Sequence, residues 1–160
     1  MLLCDISHFV EFFKNTGKTV SCAESCTGGL IGSLITSVPG SSSVFMGGVI
    51  AYSNTVKTNL LGVPQSELKE YGAVSMPVAK SMALGAIKAT GSDYSVAVTG
   101  IAGPGGAVPG KPVGTVCIGV SDGSRALAST FHFSGDRDAI RSRTVNEALA
   151  MLIEFAEGKL

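Results

Sequence analysis

The chain has 160 residues, twelve of them basic and twelve acidic, with 45% hydrophobic and 15% charged content. That length fits one domain able to bury a core without disulfide or metal staples, and the apolar content excludes a disordered chain. Balanced charge excludes an overall electrostatic footprint for nucleic acid or a membrane surface, leaving room only for a local basic pocket.

In chain order, Asp5 is placed to cap a short helix with an apolar face of Ile6, Phe9, Val10 and Phe13, ending near Gly17. Lys18 to Ala23, β-branched at Thr19 and Val20, reads as a first strand. Gly28 and Gly29 open a helix carrying Leu30, Ile31, Leu34 and Ile35, stopped by Pro39-Gly40. Val44 to Tyr52 reads as a second strand, whose Gly47-Gly48 pair suggests a backbone or helix packed close against it. Asn54 is placed to cap a short helix through Leu60 and Leu61, ended by Gly62, and Glu67 to Tyr71 adds a turn or two. Ser75 caps the next helix, with Pro77 in its first turn and a buried face of Ala79, Met82, Ala83, Ala86 and Ile87.

Tyr94 to Thr99 is a third strand that runs into a loop. Residues 100–114 hold six glycines and three prolines. Thr115 to Ser121, the Asp122-Gly123 turn and Arg125 to Phe133 form a hairpin, and a long helix closes the chain. Right-handed crossovers make the first three strands parallel, with helices on both faces, and the hairpin reverses strand four. The expected architecture is a single α/β domain over residues 1–160.

No apolar run reaches the ~18–20 residues that span a bilayer, and no secretory signal is evident. The expectation is a cytoplasmic protein with Cys4, Cys22, Cys26 and Cys117 reduced. Their spacing, with only His8 and His132 as histidines, fits no metal site.

In open α/β sheets ligands bind beyond the carboxyl ends of the parallel strands. After strand one come Glu24-Ser25-Cys26-Thr27-Gly28-Gly29. After strand two come Tyr52, Ser53, Asn54 and Lys57. Thr99 and the glycine-rich loop follow strand three, and Ser134-Gly135-Asp136-Arg137 follow strand five. The opposite edge carries bland turns, so the polar segments point to one small-molecule site.

Ser25 sits at a strand-to-helix junction, where free N–H groups hold an oxyanion or a phosphate, although an ordinary helix cap is the competing reading. A desolvated lysine near a serine takes the hydroxyl proton in place of a histidine, which makes Lys57 the candidate base. Cys26 is a rival nucleophile with His132 as its base, set against a small buried thiol packed under the loop. Ser42 lies at the amino end of strand two, roughly 25–30 Å from Lys57 at ~3.3 Å per residue, and would serve a neighbouring subunit's site or none. The loop with Gly100 and Gly103 is neither a Walker A nor a Rossmann fingerprint, yet its amides are able to approach a phosphate. Lys111 and Arg137 supply positive charge, Arg137 being the better placed.

Seven ordered strings, A-E-S-C-T-G-G (23–29), P-G-S-S (39–42), Y-S-N-x-x-K (52–57), G-A-V-S (72–75), V-T-G-I-A-G-P (98–104), K-P-V-G-T-V (111–116) and G-D-R-D-x-x-R (135–141), resemble the CinA C-terminal domain family. The similarity spans about residues 5 to 157 and is to the stand-alone form, without the family's larger N-terminal domain. It implies a three-layer α/β/α sandwich with a five-stranded, mostly parallel mixed sheet and strand 4 antiparallel. It also implies a PncC-type amidohydrolase of NAD metabolism, an NMN deamidase that converts nicotinamide mononucleotide to nicotinate mononucleotide and ammonia by a serine–lysine mechanism. The family's polar set maps onto Ser25, Ser42, Tyr52, Lys57, Thr99 and Arg137, with Thr27, Gly28, Gly29, Gly100 and Gly103 expected around the substrate.

Whether Ser25 or Ser42 attacks stays open. Such a cycle needs no metal or organic cofactor. The expected partner is the nucleotide substrate, with no nucleic acid and no membrane, in a homo-oligomer, most simply a dimer. The alternatives are a nucleotide phosphohydrolase, which would want clustered carboxylates where only Glu24 and Asp136 stand, and a non-catalytic nucleotide-binding or interaction module.

Overall fold

Asp5 accepts from the amides of Ser7 and His8 and starts helix α1 (Ile6–Thr16), which Gly17 ends in the left-handed conformation. The structure, a computed structural model, describes residues 5–160, so Cys4 lies outside the described residues. The chain continues through β1 (Val20–Glu24), α2 (Leu30–Thr36), a short 3-10 turn (Ser41–Ser43), β2 (Phe45–Ile50), α3 (Asn54–Leu61), α4 (Gln65–Tyr71), α5 (Met76–Thr90), β3 (Tyr94–Gly100), β4 (Thr115–Ser121), β5 (Ala126–His132) and α6 (Arg137–Ala156).

The five strands form one sheet in the order β2-β1-β3-β4-β5. β1 pairs parallel with β2 and β3, while β4 pairs antiparallel with β3 and β5, so β4 alone is reversed, as the Asp122-Gly123 hairpin predicts. β1 and β4 are buried along their whole length, whereas the edge strands β2 and β5 are only half-covered.

Two cores sandwich the sheet. On one face α1, α2 and α6 bring Phe9, Phe13, Ile31, Ile35, Leu149, Leu152 and Phe155 onto Val96, Val98 and Ile118. On the other, α3 and α5 bring Leu61, Val78, Met82, Ala83 and Ala86 onto Ala23, Ala51 and Ala97. Small side chains make this second layer thin. At Gly85 a Cβ would overlap the Leu61 carbonyl, so the end of α3 lies directly on the α5 backbone. That close approach draws α3 inward, and α3 carries Lys57.

One local reading needs correction. Ser53, not Asn54, is the N-cap of α3; its hydroxyl accepts from Val56 N at 3.2 Å, which starts the helix one residue sooner. Ser75 holds the N-cap position of α5 as expected, although its hydroxyl bonds back to the Gly72 carbonyl and not to a helix amide.

Candidate active site

Register alone brings the strand ends together. Glu24 is the last residue of β1 and pairs with Ile50 of β2 and Val98 of β3. The next residues out, Ser25, Ala51 and Thr99, therefore stand side by side at the carboxyl edge. Ser25 N donates to Val98 O at 3.0 Å, and Ala51 N donates to Glu24 O at 2.7 Å, which ties the three strand ends together.

α3 then delivers Lys57 onto this edge. Its side chain is only 1% exposed, and its Nζ lies 3.0 Å from Ser25 Oγ, 2.8 Å from Ala51 O and 3.3 Å from Tyr52 O. None of those partners is a carboxylate. Burial, with no counter-ion among the described residues, holds the amine below the ordinary lysine value of 10.5, and the nearby Cys26 thiol opposes this only in part. A neutral amine has two N–H groups and one lone pair. With the N–H groups given to the Ala51 and Tyr52 carbonyls, the lone pair faces the Ser25 hydroxyl. Cationic, the same nitrogen donates to all three oxygens. The geometry serves both halves of a proton transfer.

A cavity of about 210 Å³ opens over this pair, lined by Ser25, Cys26, Tyr52, Asn54, Thr99 and Arg137 among others. Thr99 is buried and donates its hydroxyl proton to Ala73 O at 2.8 Å, so towards the cavity it offers lone pairs. The Tyr52 hydroxyl does not meet Lys57. It accepts from Arg137 Nη2 at 3.2 Å, and Arg137 Nη1 donates to Gly103 O at 2.7 Å. Arg137 thus ties the glycine-rich loop to Tyr52 across the mouth of the cavity. Gly100 lines that cavity, while Gly103 touches it only through Arg137.

The helix-start amides are less available than the glycines suggest. The buried Glu24 carboxylate accepts from Thr27 Oγ1 at 2.6 Å, Gly29 N at 3.0 Å, Ile31 N at 3.1 Å and Gly32 N at 3.0 Å. It stands where a bound phosphate would, and neutralises the start of α2 from within. Gly28 N is spent on Ser25 O at 3.2 Å. The amides of Cys26 and Thr27 donate to no other residue among the described residues, the Cys26 N–H lying against its own thiol. Of these two residues, Cys26 lines the cavity.

Ser42 is exposed in the 3-10 turn before β2, whereas Lys57 follows β2, so the strand separates them within this chain. Cys26 is buried, and burial pushes its thiol up to about 11, which makes it a poor nucleophile. His132 stands apart, its ring nitrogen 3.4 Å from Thr115 Oγ1. Asp136 caps α6 by accepting from Ala139 N at 2.9 Å, so both carboxylates of this edge serve as helix caps. Among the described residues no three His, Cys, Asp or Glu side chains converge as a metal site would require, and no helix is long and apolar enough to cross a membrane.

Two residues escaped sequence reasoning. Glu24 looked like a free edge carboxylate, and only its position under the α2 turn reveals the cap. Arg141 reaches from α6 to the Thr27 carbonyl at 3.0 Å. Its legible signals were its place at the end of the string at 135–141 and its i,i+4 spacing from Arg137, which puts both on one helix face.

Known proteins match this arrangement along nearly the whole chain. Residues 6–156 match the model of the CinA C-terminal domain. A CinA-like protein of Geobacter metallireducens is 53% identical over 142 residues, covering 89% of this chain and 34% of its own. The chain thus spans about a third of the length of the curated relatives it matches. Among solved structures, the competence/damage inducible protein CihA from Agrobacterium tumefaciens is 40% identical with a TM-score of 0.89, covering 96% of both chains. A CinA superfamily protein from Klebsiella pneumoniae reaches 0.91 at 28% identity, covering 95% of this chain and 96% of its own. The chain belongs to the CinA C-terminal domain family.

Proposed function

We propose that this domain hydrolyses the carboxamide of nicotinamide mononucleotide to nicotinate mononucleotide and ammonia, through an acyl-enzyme on Ser25. The observation that carries the reading is Lys57: a buried amine with no counter-ion among the described residues, 3.0 Å from a serine hydroxyl on the floor of a cavity. The resemblance of the seven motifs to nicotinamide-nucleotide amidohydrolases supplies the substrate.

Neutral Lys57 takes the Ser25 proton as Oγ attacks the amide carbon. The carbonyl oxygen becomes an oxyanion and is held by the amide of Cys26. The Lys57 ammonium then gives its proton to the departing nitrogen, and ammonia leaves. Lys57, neutral again, activates water to cleave the ester, and nicotinate mononucleotide departs. Tyr52 contributes a carbonyl that fixes Lys57 and a hydroxyl that fixes Arg137. Arg137 grips the nucleotide phosphate at the cavity mouth. Both edge carboxylates being helix caps leaves a phosphohydrolase metal without ligands here. The assembly belonging to this reading is a two-fold dimer, in which the exposed Ser42 turn faces a partner's site.

The test is ammonia release from nicotinamide mononucleotide, with and without EDTA. Turnover insensitive to chelation is expected, and Arg137→Ala raises KM with little change in kcat. No ammonia from the wild type, or activity abolished by EDTA and restored by a divalent ion, overturns the reading.

A further inference from the structure

The residue that the proposed reaction leaves unexplained is Arg141. It projects from α6 and donates from Nη2 to Thr27 O at 3.0 Å, a contact that joins residues 114 positions apart. Its side chain is 27% exposed, and its Nε is buried with no acceptor among the described residues. Its ion pair with Asp138 is a loose one, 3.6 Å from Nη1 to a carboxylate that is 89% exposed. Drawing a guanidinium under a turn with one N–H unsatisfied is a poor device for stability.

The bond it makes leads elsewhere. The Thr27 carbonyl shares a peptide group with the Gly28 N–H, which donates to Ser25 O at 3.2 Å. The Ser25 carbonyl in turn shares a peptide group with the N–H of Cys26, a residue that lines the cavity and whose amide donates to no other residue among the described residues. The guanidinium and two peptide groups, the second ending in the Cys26 N–H, thus stand in series, with every dipole pointing the same way. Hydrogen bonds in such a chain polarise one another, most of all when a charge sits at its head. The field of Arg141 reaches this turn, since it and Lys57 both draw the Cys26 thiol down against the effect of burial.

We propose that Arg141 is a positioning residue: through the Thr27 and Ser25 peptide groups it orients and polarises the Cys26 N–H that receives the oxyanion. The inference rests on the acyl-transfer reading above. It assigns Arg141 a part in the transition state alone, because the relay ends where negative charge develops and not where the ground-state substrate is held.

Arg141→Gln, Arg141→Lys and Asp138→Asn test it, each compared with the wild type at equal folded concentration by circular dichroism. For ammonia release, Arg141→Gln is expected to lose roughly tenfold to a hundredfold in kcat with KM within about twofold, less than the 10²–10³ of deleting an oxyanion donor outright. Arg141→Lys, which keeps a charged donor, recovers part of the loss, and Asp138→Asn matches the wild type. A second readout is independent of the amide substrate: the rate at which a fluorophosphonate labels Ser25. There Ser25 Oγ forms the bond to phosphorus, fluoride leaves, and Lys57 takes the hydroxyl proton. The phosphoryl oxygen occupies the same oxyanion position, so labelling slows by a similar factor in Arg141→Gln.

Should Arg141→Gln not fold, the deficit of Arg141→Lys against Asp138→Asn decides by the same criteria. A rise in KM at constant kcat, unchanged kinetics, or a loss that vanishes after correction for folded protein overturns the proposal. A wild type that is labelled but releases no ammonia defeats the amidase reading alone, and the labelling rates still judge the relay. A wild type that does neither removes the oxyanion the relay serves, and overturns both.

Discussion

The two faces of the sheet are packed by opposite means. Under α1, α2 and α6 the core is built from phenylalanine, isoleucine and leucine, including fully covered Phe9, Phe13, Ile31, Leu149 and Leu152. Under α3 and α5 it is built largely from alanine, and the largest fully buried side chain near it is Lys57. The thick face gains most of the hydrophobic free energy, because buried apolar area scales with side-chain size. The thin face lets backbones approach, which sets a long amine down on the strand ends. Most of the hydrophobic burial and the delivery of Lys57 are thereby divided between the two sides of one sheet.

The largest effect expected of breaking this division is catalytic. Lys57→Ala and Ser25→Ala should each lower kcat by about 10⁴-fold while leaving a folded domain, and the double variant should be little worse than either, since the two act as one unit. Leu149→Ala on the thick face should do the reverse. It should cost about 2–5 kcal/mol of stability while the folded fraction keeps its kcat. Denaturant melts and ammonia release on the same samples check both, and full activity in Lys57→Ala would end the serine–lysine mechanism.

Gly85→Ala sharpens the comparison. The added Cβ would overlap the Leu61 carbonyl and force α3 outward from α5. We expect about 1–3 kcal/mol of destabilisation, as for overpacking elsewhere, accompanied by a loss of kcat because Lys57 moves away with its helix. The equivalent enlargement on the thick face should cost stability only.

The smallest effect is a pH slope. The folded-state value of Lys57 is depressed. Between that value and the ordinary one of 10.5, the unfolded lysine holds a proton that the folded one has lost. The unfolded state then binds more protons, so this lysine makes stability rise with pH across the window, by at most about 1.4 kcal/mol per pH unit. Lys57→Met lacks that contribution, and urea melts of the two proteins across the alkaline range should diverge accordingly. The acid limb of kcat/KM should follow the same depressed value, because Lys57 must be neutral to act as a base. Parallel stability curves would mean that the lysine is not desolvated as its burial indicates.

Much of this was legible in the residues. The hairpin turn at Asp122-Gly123 announces the reversed strand, and polar segments gathered after parallel strands announce the site edge. Ser25 and Lys57 are each placed at that edge by strand counting alone. The assignment of Asn54 as a cap failed because Ser53 and Asn54 are both good caps. The choice rests on which backbone position turns helical, a matter of dihedral angles that composition does not carry. The glycines at 28 and 29 promised open amides, and the Ser25 carbonyl and the Glu24 carboxylate had already taken them.

Local order therefore belongs to the sequence: strands, helices, their direction and the edge where ligands bind all follow from periodicities and turns a few residues long. The tertiary structure decided which polar groups meet. That Lys57 lacks a counter-ion among the described residues, that Tyr52 turns its hydroxyl to Arg137, and that Arg141 bonds a carbonyl 114 positions away are results of packing. The physical reason is distance along the chain. Capping and alternation are settled within a turn or a strand, whereas the desolvation and pairing of a charge depend on every element folded over it.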